Sequence, residues 1–491
     1  MSITDKDIER FVEIATNTSD SIIKDLTKEN NNDPLIIRSI SIVERYIIKK
    51  KLVVYGGTAI NAILPESLKF YNTEYDLPDW DFYSSNPIID GMNIADQIME
   101  ETGANVQLST AVHAGTYKVY ADGIAVADIT EVHADLLEIF RKNAIEIDGV
   151  LYSGPDYLRM AAYLELSRPI GQPDRWEKVM RRLLLLNNAY PIIVEDQPSG
   201  GLRPPLGPPP PGGGTSALGG RRRGSEGSEN EGVLTLELVE GLIELQQKDS
   251  SLFAFMGDYA IEIIRRTLRR KDGGPVSLPE LTEEKPMIFL ASNPEKFMGM
   301  FQKMLPKRDD GNERFFIEPV ITPAEFLGTY YCFRDTQQRN RVLFVVMETT
   351  HSCQSILTLR IKGNPKITIA SIESMIYLYL SLLFVPKSVL GGHRVPVSKN
   401  NIMSSVDYLI KVQYRILIEQ RKSLLPLPVA CIGEQLTMRQ MRKDKVEDIR
   451  RILYGKGKIS AEYFLRNIRY TGGDSKMRRL VEKSLEMDKK E

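Results

Sequence analysis

Cysteine is scarce. The 491-residue chain has three, Cys332, Cys353 and Cys431, too few and too scattered for a disulfide framework and in keeping with a reducing intracellular compartment. No apolar run approaches the roughly 20 residues of a membrane helix; the longest stretch is Met375 to Val385. The opening segment, MSITDKDIERF, is charged throughout and lacks the apolar region of a secretion signal. Nor is there a surplus of one charge, since 64 Lys+Arg stand against 65 Asp+Glu for a net of −1. These absences argue against a secreted or membrane-spanning protein. Composition that is 42% hydrophobic and 26% charged fits a folded globular chain, long enough for two or three domains.

The balanced total hides a gradient. Residues 1–196 carry 19 Lys+Arg against 31 Asp+Glu, a net of −12. Residues 197–406 carry 25 against 22, and residues 407–491 carry 20 against 12, a net of +8. A protein that holds cations in one place and a polyanion in another would show this pattern. Two solvated faces of opposite sign would show it as well.

Hydrophobic spacing divides the chain into six stretches. Residues 1–50 read as helical, with Ile36, Ile40, Val43 and Ile47 at helical spacing behind an Asp33–Pro34 start. Residues 51–150 mix the elements. Leu52 to Tyr55 is a short apolar strand entering Gly56–Gly57, a helix is expected from Ala59 to Leu64, and 79–84 is β-rich. Thr116–Tyr120 and Ile124–Ile129 form a hairpin about Asp122–Gly123. Residues 151–196 read as two helices, the first capped by Ser153. Residues 197–232 differ in kind: 18 of the 36 are Pro or Gly, too little apolar surface to offset ordering, so a flexible linker is expected. Residues 233–406 read as an α+β domain that begins with helix over 233–270, and its stretch 285–384 weakly echoes the mixed architecture of the front half without paired carboxylates. Basic helices fill 407–491.

Three pieces of the first half carry chemistry. Gly56–Gly57–Thr58 stands between a strand and a helix, where backbone N–H groups and the positive helix end can approach a phosphate. Asp79–Trp80–Asp81–Phe82 places two carboxylates on one face of a strand and two aromatic rings on the other. Asp128 interrupts the otherwise apolar Ile124–Ile129, which solubility does not explain. Carboxylates set side by side call for a hard divalent cation, Mg²⁺ or Mn²⁺. Three in one cluster are a ligand set for two ions clamping an in-line phosphoryl or nucleotidyl transfer.

YGGTAINA, then YDLPDWDFYS, then VADIT, resembles the DNA polymerase β-like nucleotidyltransferase superfamily. More closely it is similar to the poly(A) polymerase catalytic subunits of large nucleocytoplasmic DNA viruses. SRPIGQPDRWEKVMRRL and IASIESMIYLYLSLLF are also similar to that group, whereas the 197–232 insert departs from it. The resemblance implies an α+β fold with a mixed catalytic sheet over 51–150, helical flanks, and a C-terminal nucleotidyltransferase-like unit without its own active site. It implies that Asp79 and Asp81 hold two Mg²⁺ or Mn²⁺ ions, that Asp128 completes the site on the side of the RNA 3′-hydroxyl, and that Gly56, Gly57 and Thr58 cradle the triphosphate of ATP. The expected reaction adds AMP to the RNA 3′ end, in the host cytoplasm, with the enzyme also packaged in the virion. A homodimer or a separate processivity subunit is implied as partner. A CCA- or uridylyl-adding enzyme shares the same carboxylates, and a non-catalytic RNA-binding scaffold would be expected to have lost one of them.

Basic residues can be nominated by spacing. Arg175, Lys178 and Arg182 fall on one face of a helix, where they can meet the nucleotide's phosphates or simply face solvent. In the tail, Arg439 to Lys458 form a basic stretch near Tyr454 and Tyr463, fit for phosphate contact and base stacking or for solvated helix faces. His351 and Cys353 lack a second ligand pair, which disfavours zinc. Cys431, in an apolar context, reads as core.

Overall fold

The structure is a computed structural model that describes residues 4–31, 33–72, 77–78, 80–194, 233–270, 274–280, 285–324, 326–349, 352–363, 365–390, 395–419, 427–454 and 460–488. Asp79 and the 197–232 insert lie outside these described residues.

Two helices open the chain, α1 (Asp5–Asn31) and α2 (Pro34–Lys50). The Asp33 carboxylate accepts from the Leu35 N–H at 2.8 Å, and Pro34 fills the first turn of α2, where no N–H is needed. The first unit then runs β1 (Val53–Val54), α3 (Gly56–Ile63), β2 (Asp81–Ser84), α4 (Pro87–Thr102), β3 (Val106–Thr110), β4 (Thr116–Ala121) and β5 (Ile124–Glu131). It closes with α5 (Ala134–Lys142), β6 (Ile145–Ile147), β7 (Val150–Tyr152), α6 (Pro155–Leu166) and α7 (Trp176–Ala189). The helix after β7 is capped at Gly154 and not at Ser153. Ser153 is still part of the sheet: its N–H donates to the Val54 carbonyl at 2.8 Å.

The second unit repeats the pattern. The expected helix over 233–270 is split into α8 (Leu236–Lys248), β8 (Phe253–Met256) and α9 (Gly257–Arg269). The strand Phe253–Met256 is apolar throughout, a run that helix and strand periods both accept. Next come β9 (Met287–Ala291), α10 (Pro294–Phe301), β10 (Phe315–Val320), β11 (Tyr330–Asp335), β12 (Arg341–Glu348), β13 (Gln354–Arg360), β14 (Lys366–Ala370) and α11 (Ile372–Ser381). The tail contributes α12 (Lys399–Glu419), β15 (Cys431–Ile432), α13 (Met438–Tyr454), α14 (Ala461–Leu465), β16 (Arg469–Thr471) and α15 (Ser475–Asp488).

The strands form two eight-stranded mixed sheets, β16-β3-β4-β5-β2-β1-β7-β6 and β10-β11-β12-β9-β8-β14-β13-β15. Their interiors match strand for strand. β1 is antiparallel to β2 and parallel to β7, as β8 is to β9 and β14. β2 is parallel to β5, as β9 is to β12. The helices that follow the matching strands β7 and β14, α6 and α11, pack against each other and join the units. The Ser355 N–H also donates to the Ser167 carbonyl across the junction at 2.9 Å. One apolar core runs from Val53 and Tyr83 through α5–α7 into the second sheet; a second lies between the first sheet, α2–α4 and the tail.

Two features depart from expectation. β16, amid the basic tail, adds to the edge of the first sheet against β3. Cys353 and Cys431 are joined as a disulfide, with Cα atoms 5.4 Å apart, and tie β15 to β13. Cys431 is therefore a cross-link and not a free core thiol. The buried Cys332 thiol is pushed up to about 12 by burial. Among the described residues no helix is long and apolar enough to cross a membrane.

An acid is buried at the junction. Glu373, in the first turn of α11, accepts from Nε2 of Gln413 at 2.8 Å, and Tyr163 of α6 donates to the same glutamine's Oε1 at 2.9 Å. Burial raises the Glu373 carboxyl above its ordinary value of 4.5. A raised carboxyl stabilises fully below its unfolded pKa and loses that contribution as pH rises through the folded one. Glu373→Gln is therefore expected to melt higher than wild type at pH 7, with the advantage shrinking toward pH 5. Thermal melts across that range check it; a variant that melts lower throughout contradicts it.

Candidate active site

The site is built where β1, β2 and β5 lie side by side. Tyr55 is extended, Gly56 turns at φ +74°, and α3 opens at Gly56, three residues ahead of the expected start. A Cβ on Gly56 would lie 2.7 Å from Oδ2 of Asp81, so this residue must be glycine both for its backbone and for the carboxylate beside it. A Cβ on Gly57 would lie 2.5 Å from the Tyr71 hydroxyl and 2.6 Å from Nη1 of Arg182. Thr58 is buried in the first turn of α3.

Asp81 begins β2, with its neighbours Trp80 and Phe82 buried on the core side as alternation requires. Across the parallel pair, Asp81 stands opposite Asp128. The register that puts Asp128 there owes something to a bulge. Between Val119 and Tyr120 the pairing of β4 with β5 shifts by one residue, and Val126 and Ala127 are both buried. Past the bulge Lys118 faces Asp128, and its Nζ forms an ion pair with Oδ2. Sequence reasoning missed Lys118, because the Asp122–Gly123 turn without a bulge pairs Lys118 with Ala127.

Aromatic rings support the carboxylates. Tyr55 stacks on Tyr83 with centroids 4.1 Å apart, and its hydroxyl is 2.7 Å from Oγ1 of Thr130. Burial, then the Asp81 charge, raises the Tyr55 phenol well above its ordinary value, so it stays neutral. The nominated basic residues separate. Arg182 reaches the glycine turn: Nη2 donates to the Tyr71 hydroxyl at 2.7 Å, and the guanidinium lies over the Phe70 and Tyr71 rings. Arg175 instead bonds Oε1 of Gln172 at 3.1 Å and lies 3.4 Å from Glu165, while Lys178 is exposed on α7. Burial raises the Glu165 carboxyl, against the opposing charges of Arg175, Arg182 and Arg168.

The donor set fits a hard cation in part. Asp81 and Asp128 form a facing pair of oxygen ligands, a lysine ammonium already occupies part of the space, and a Cβ at Gly56 would intrude on it. Among the described residues no group of three or more potential ligands gathers, and Asp79 lies outside them.

In the second unit the same backbone carries different side chains. Gly257 also turns at φ +74°, and a Cβ there would lie 3.2 Å from Ile288. Phe255 pairs with Phe289 as Val54 pairs with Phe82, and Ile288 pairs with Val345 as Asp81 pairs with Asp128. Ile288 and Val345 thus stand in the places of the two carboxylates. Asp258, after the turning glycine, is closed by an ion pair to Lys285 at 2.6 Å.

A glycine turn, facing strand aspartates and this strand order define the class: a nucleotidyltransferase-type α+β fold, present twice and furnished with carboxylates once. Residues 41–172 match the family described as Poly(A) polymerase catalytic subunit. A candidate poly(A) polymerase catalytic subunit of African swine fever virus is 29% identical over 173 residues, 34% of this chain and 36% of that protein. One of Acanthamoeba polyphaga mimivirus is 31% identical over 163 residues, 31% of this chain and 26% of that protein. The chain therefore aligns to between about a quarter and about a third of the length of these curated relatives. The crystal structure of the Megavirus polyadenylate synthase matches 99% of this chain and 91% of its own, with TM-score 0.66 and 17% identity, a likeness of fold. Over about a third of its length, residues 41–172 included, the chain is thus similar to the poly(A) polymerase catalytic subunits of large DNA viruses, as the motifs indicated.

Replacing Gly56 tests the contact with Asp81. Gly103 has φ +73° with nothing within 4 Å of the place its Cβ would take, so Gly103→Ala reports backbone strain alone, about 1–2 kcal/mol. Gly56→Ala is expected to cost about 1 kcal/mol more in denaturant unfolding, from displacing Asp81. Equal costs would mean that the carboxylate does not depend on the missing Cβ.

Proposed function

We propose that this protein is a template-independent polymerase that adds AMP from ATP to the 3′ end of RNA and releases pyrophosphate. The observation that carries the reading is the Asp81–Asp128 pair facing across β2 and β5 beside the glycine turn. Similarity to the viral poly(A) polymerase subunits supports adenylate as the nucleotide and RNA as its acceptor.

In the reaction the RNA 3′-hydroxyl oxygen bonds to the α-phosphorus of ATP. The bond from that phosphorus to the bridging oxygen of the β-phosphate breaks, and the hydroxyl proton passes to solvent. Asp79, Asp81 and Asp128 would hold two divalent cations, Mg²⁺ or Mn²⁺, which would supply charge neutralisation for the transfer. The chain's own part is to bind and orient. Gly56 and Gly57 let backbone N–H groups and the positive end of α3 approach the triphosphate, with the Thr58 hydroxyl beside them. Arg182, fixed by Tyr71 over Gly57, adds a guanidinium to the same phosphates. Lys118 holds the Asp128 carboxylate in place through their ion pair. The reading includes work in the host cytoplasm and packaging in the virion, as a homodimer or with a separate processivity subunit.

Extension of a labelled RNA primer with each single nucleoside triphosphate, in Mg²⁺ and in Mn²⁺, tests it. Long tails with ATP alone are expected, slowed about a hundredfold or more in Asp81→Ala and Asp128→Ala. Preference for CTP or UTP would keep the chemistry and overturn the adenylyl assignment. Unchanged rates in both variants would overturn the site.

A further inference from the structure

The first sheet carries its chemistry past the carboxylates. Across neighbouring strands, Asp81 of β2 pairs with Asp128 of β5, Asp128 with Lys118 of β4, Lys118 with Ser109 of β3, and Ser109 with Arg469 of β16. These five residues form one row over five strands. At strand spacing its ends are about 19 Å apart. Along the row the charge passes from two carboxylates through an ammonium to a guanidinium. The next row on that face holds Tyr120 of β4 opposite Gln107 of β3, and Arg469 donates to Oε1 of Gln107 at 3.1 Å.

Over β3, β4 and β16 this face is the floor of a cleft of about 650 Å³, roofed by α13 and α14. Lys445 of α13 holds the roof in place, its Nζ donating to the Thr110 carbonyl and, at 2.6 Å, to that of Ala111. Tyr120 from the floor and Phe464 from the roof are half-buried rings in the lining, accompanied by the amides of Gln107 and Asn467. Rings for base faces, amides for base edges and cations for the backbone are what single-stranded nucleic acid needs. The roof and β16 belong to the segment 407–491, whose net charge is +8.

We propose that this cleft is the track for the single-stranded RNA a few nucleotides upstream of its 3′ end, entering between α13–α14 and the β3–β4 face and running along the Arg469–Ser109–Lys118 row to the carboxylates. The track rests on the reading of the carboxylate pair as an RNA-extending site. It gives β16 a function: the basic tail supplies both the last strand of the catalytic sheet and the cover over the primer. Polarity follows from the row, since the exposed Arg469 attracts the upstream backbone, while phosphate is repelled by Asp81 and Asp128 except where cations are held.

The test is equilibrium binding of a short fluorescein-labelled oligo(A) to the full chain, read by anisotropy at several salt concentrations, with primer extension by the wild type measured beside it. Tyr120→Ala/Phe464→Ala is expected to weaken binding at least about tenfold through lost stacking. Arg469→Glu, an exposed edge residue whose replacement leaves the core untouched, is expected to weaken it and to flatten the salt dependence. Arg308→Glu, on the second unit, is expected to bind as wild type. If the wild type extends primers but both cleft variants bind RNA unchanged, the track is wrong and the polymerase reading stands. If binding falls in the cleft variants while the wild type extends nothing with any nucleotide, the track stands and the reaction is wrong. A wild type that binds no oligo(A) overturns the track.

Discussion

Two carboxylates facing each other across adjacent strands repel by about 3 kcal/mol at strand spacing with an effective dielectric near 20, and the first unit is arranged to keep them there. Lys118 stands across from Asp128 because a bulge moves the pairing by one residue. Gly56 leaves room for Asp81 because it has no Cβ. Tyr55, stacked on Tyr83 and bonded to Thr130, fills the floor without adding charge. Each device lowers the cost of an arrangement that only a bound cation would make favourable.

The second unit shows what the backbone does when that demand is absent. Its strand pairings and its turning glycine repeat those of the first, yet Ile288 and Val345 occupy the carboxylate positions and pack into the core. Fold and chemistry have separated within one chain. What the second sheet retains is structural: α11 packs on α6, and the buried Tyr163–Gln413–Glu373 chain crosses the junction, so the apolar core of the catalytic unit continues into its neighbour.

Much of this was legible because it lay in short sequence signals. Asp33–Pro34, Gly56–Gly57, the Asp122–Gly123 hairpin and the lone Asp128 in an apolar strand each have one local explanation, and the structure places Asp81 and Asp128 together. The rest depends on pairings far apart in sequence. β16 is three residues between helices and is a strand only because β3 presents an edge. The bulge at Val126 leaves no turn residue behind. The repeat was faint because it is carried by topology, with traces such as Ser85–Asn86–Pro87 and Ser292–Asn293–Pro294 at the matching strand-to-helix turns. Cys353 and Cys431, 78 residues apart, are brought together by β15 alongside β13.

The central claim is that cations are held by the first sheet and not by the second. Anomalous diffraction from crystals grown with Mn²⁺ and a non-hydrolysable ATP analogue measures it directly. The account predicts a peak between Asp81 and Asp128 and none between Ile288 and Val345. A protein that binds the analogue with no peak at the aspartates, or with its Mn²⁺ in the second sheet, would contradict it.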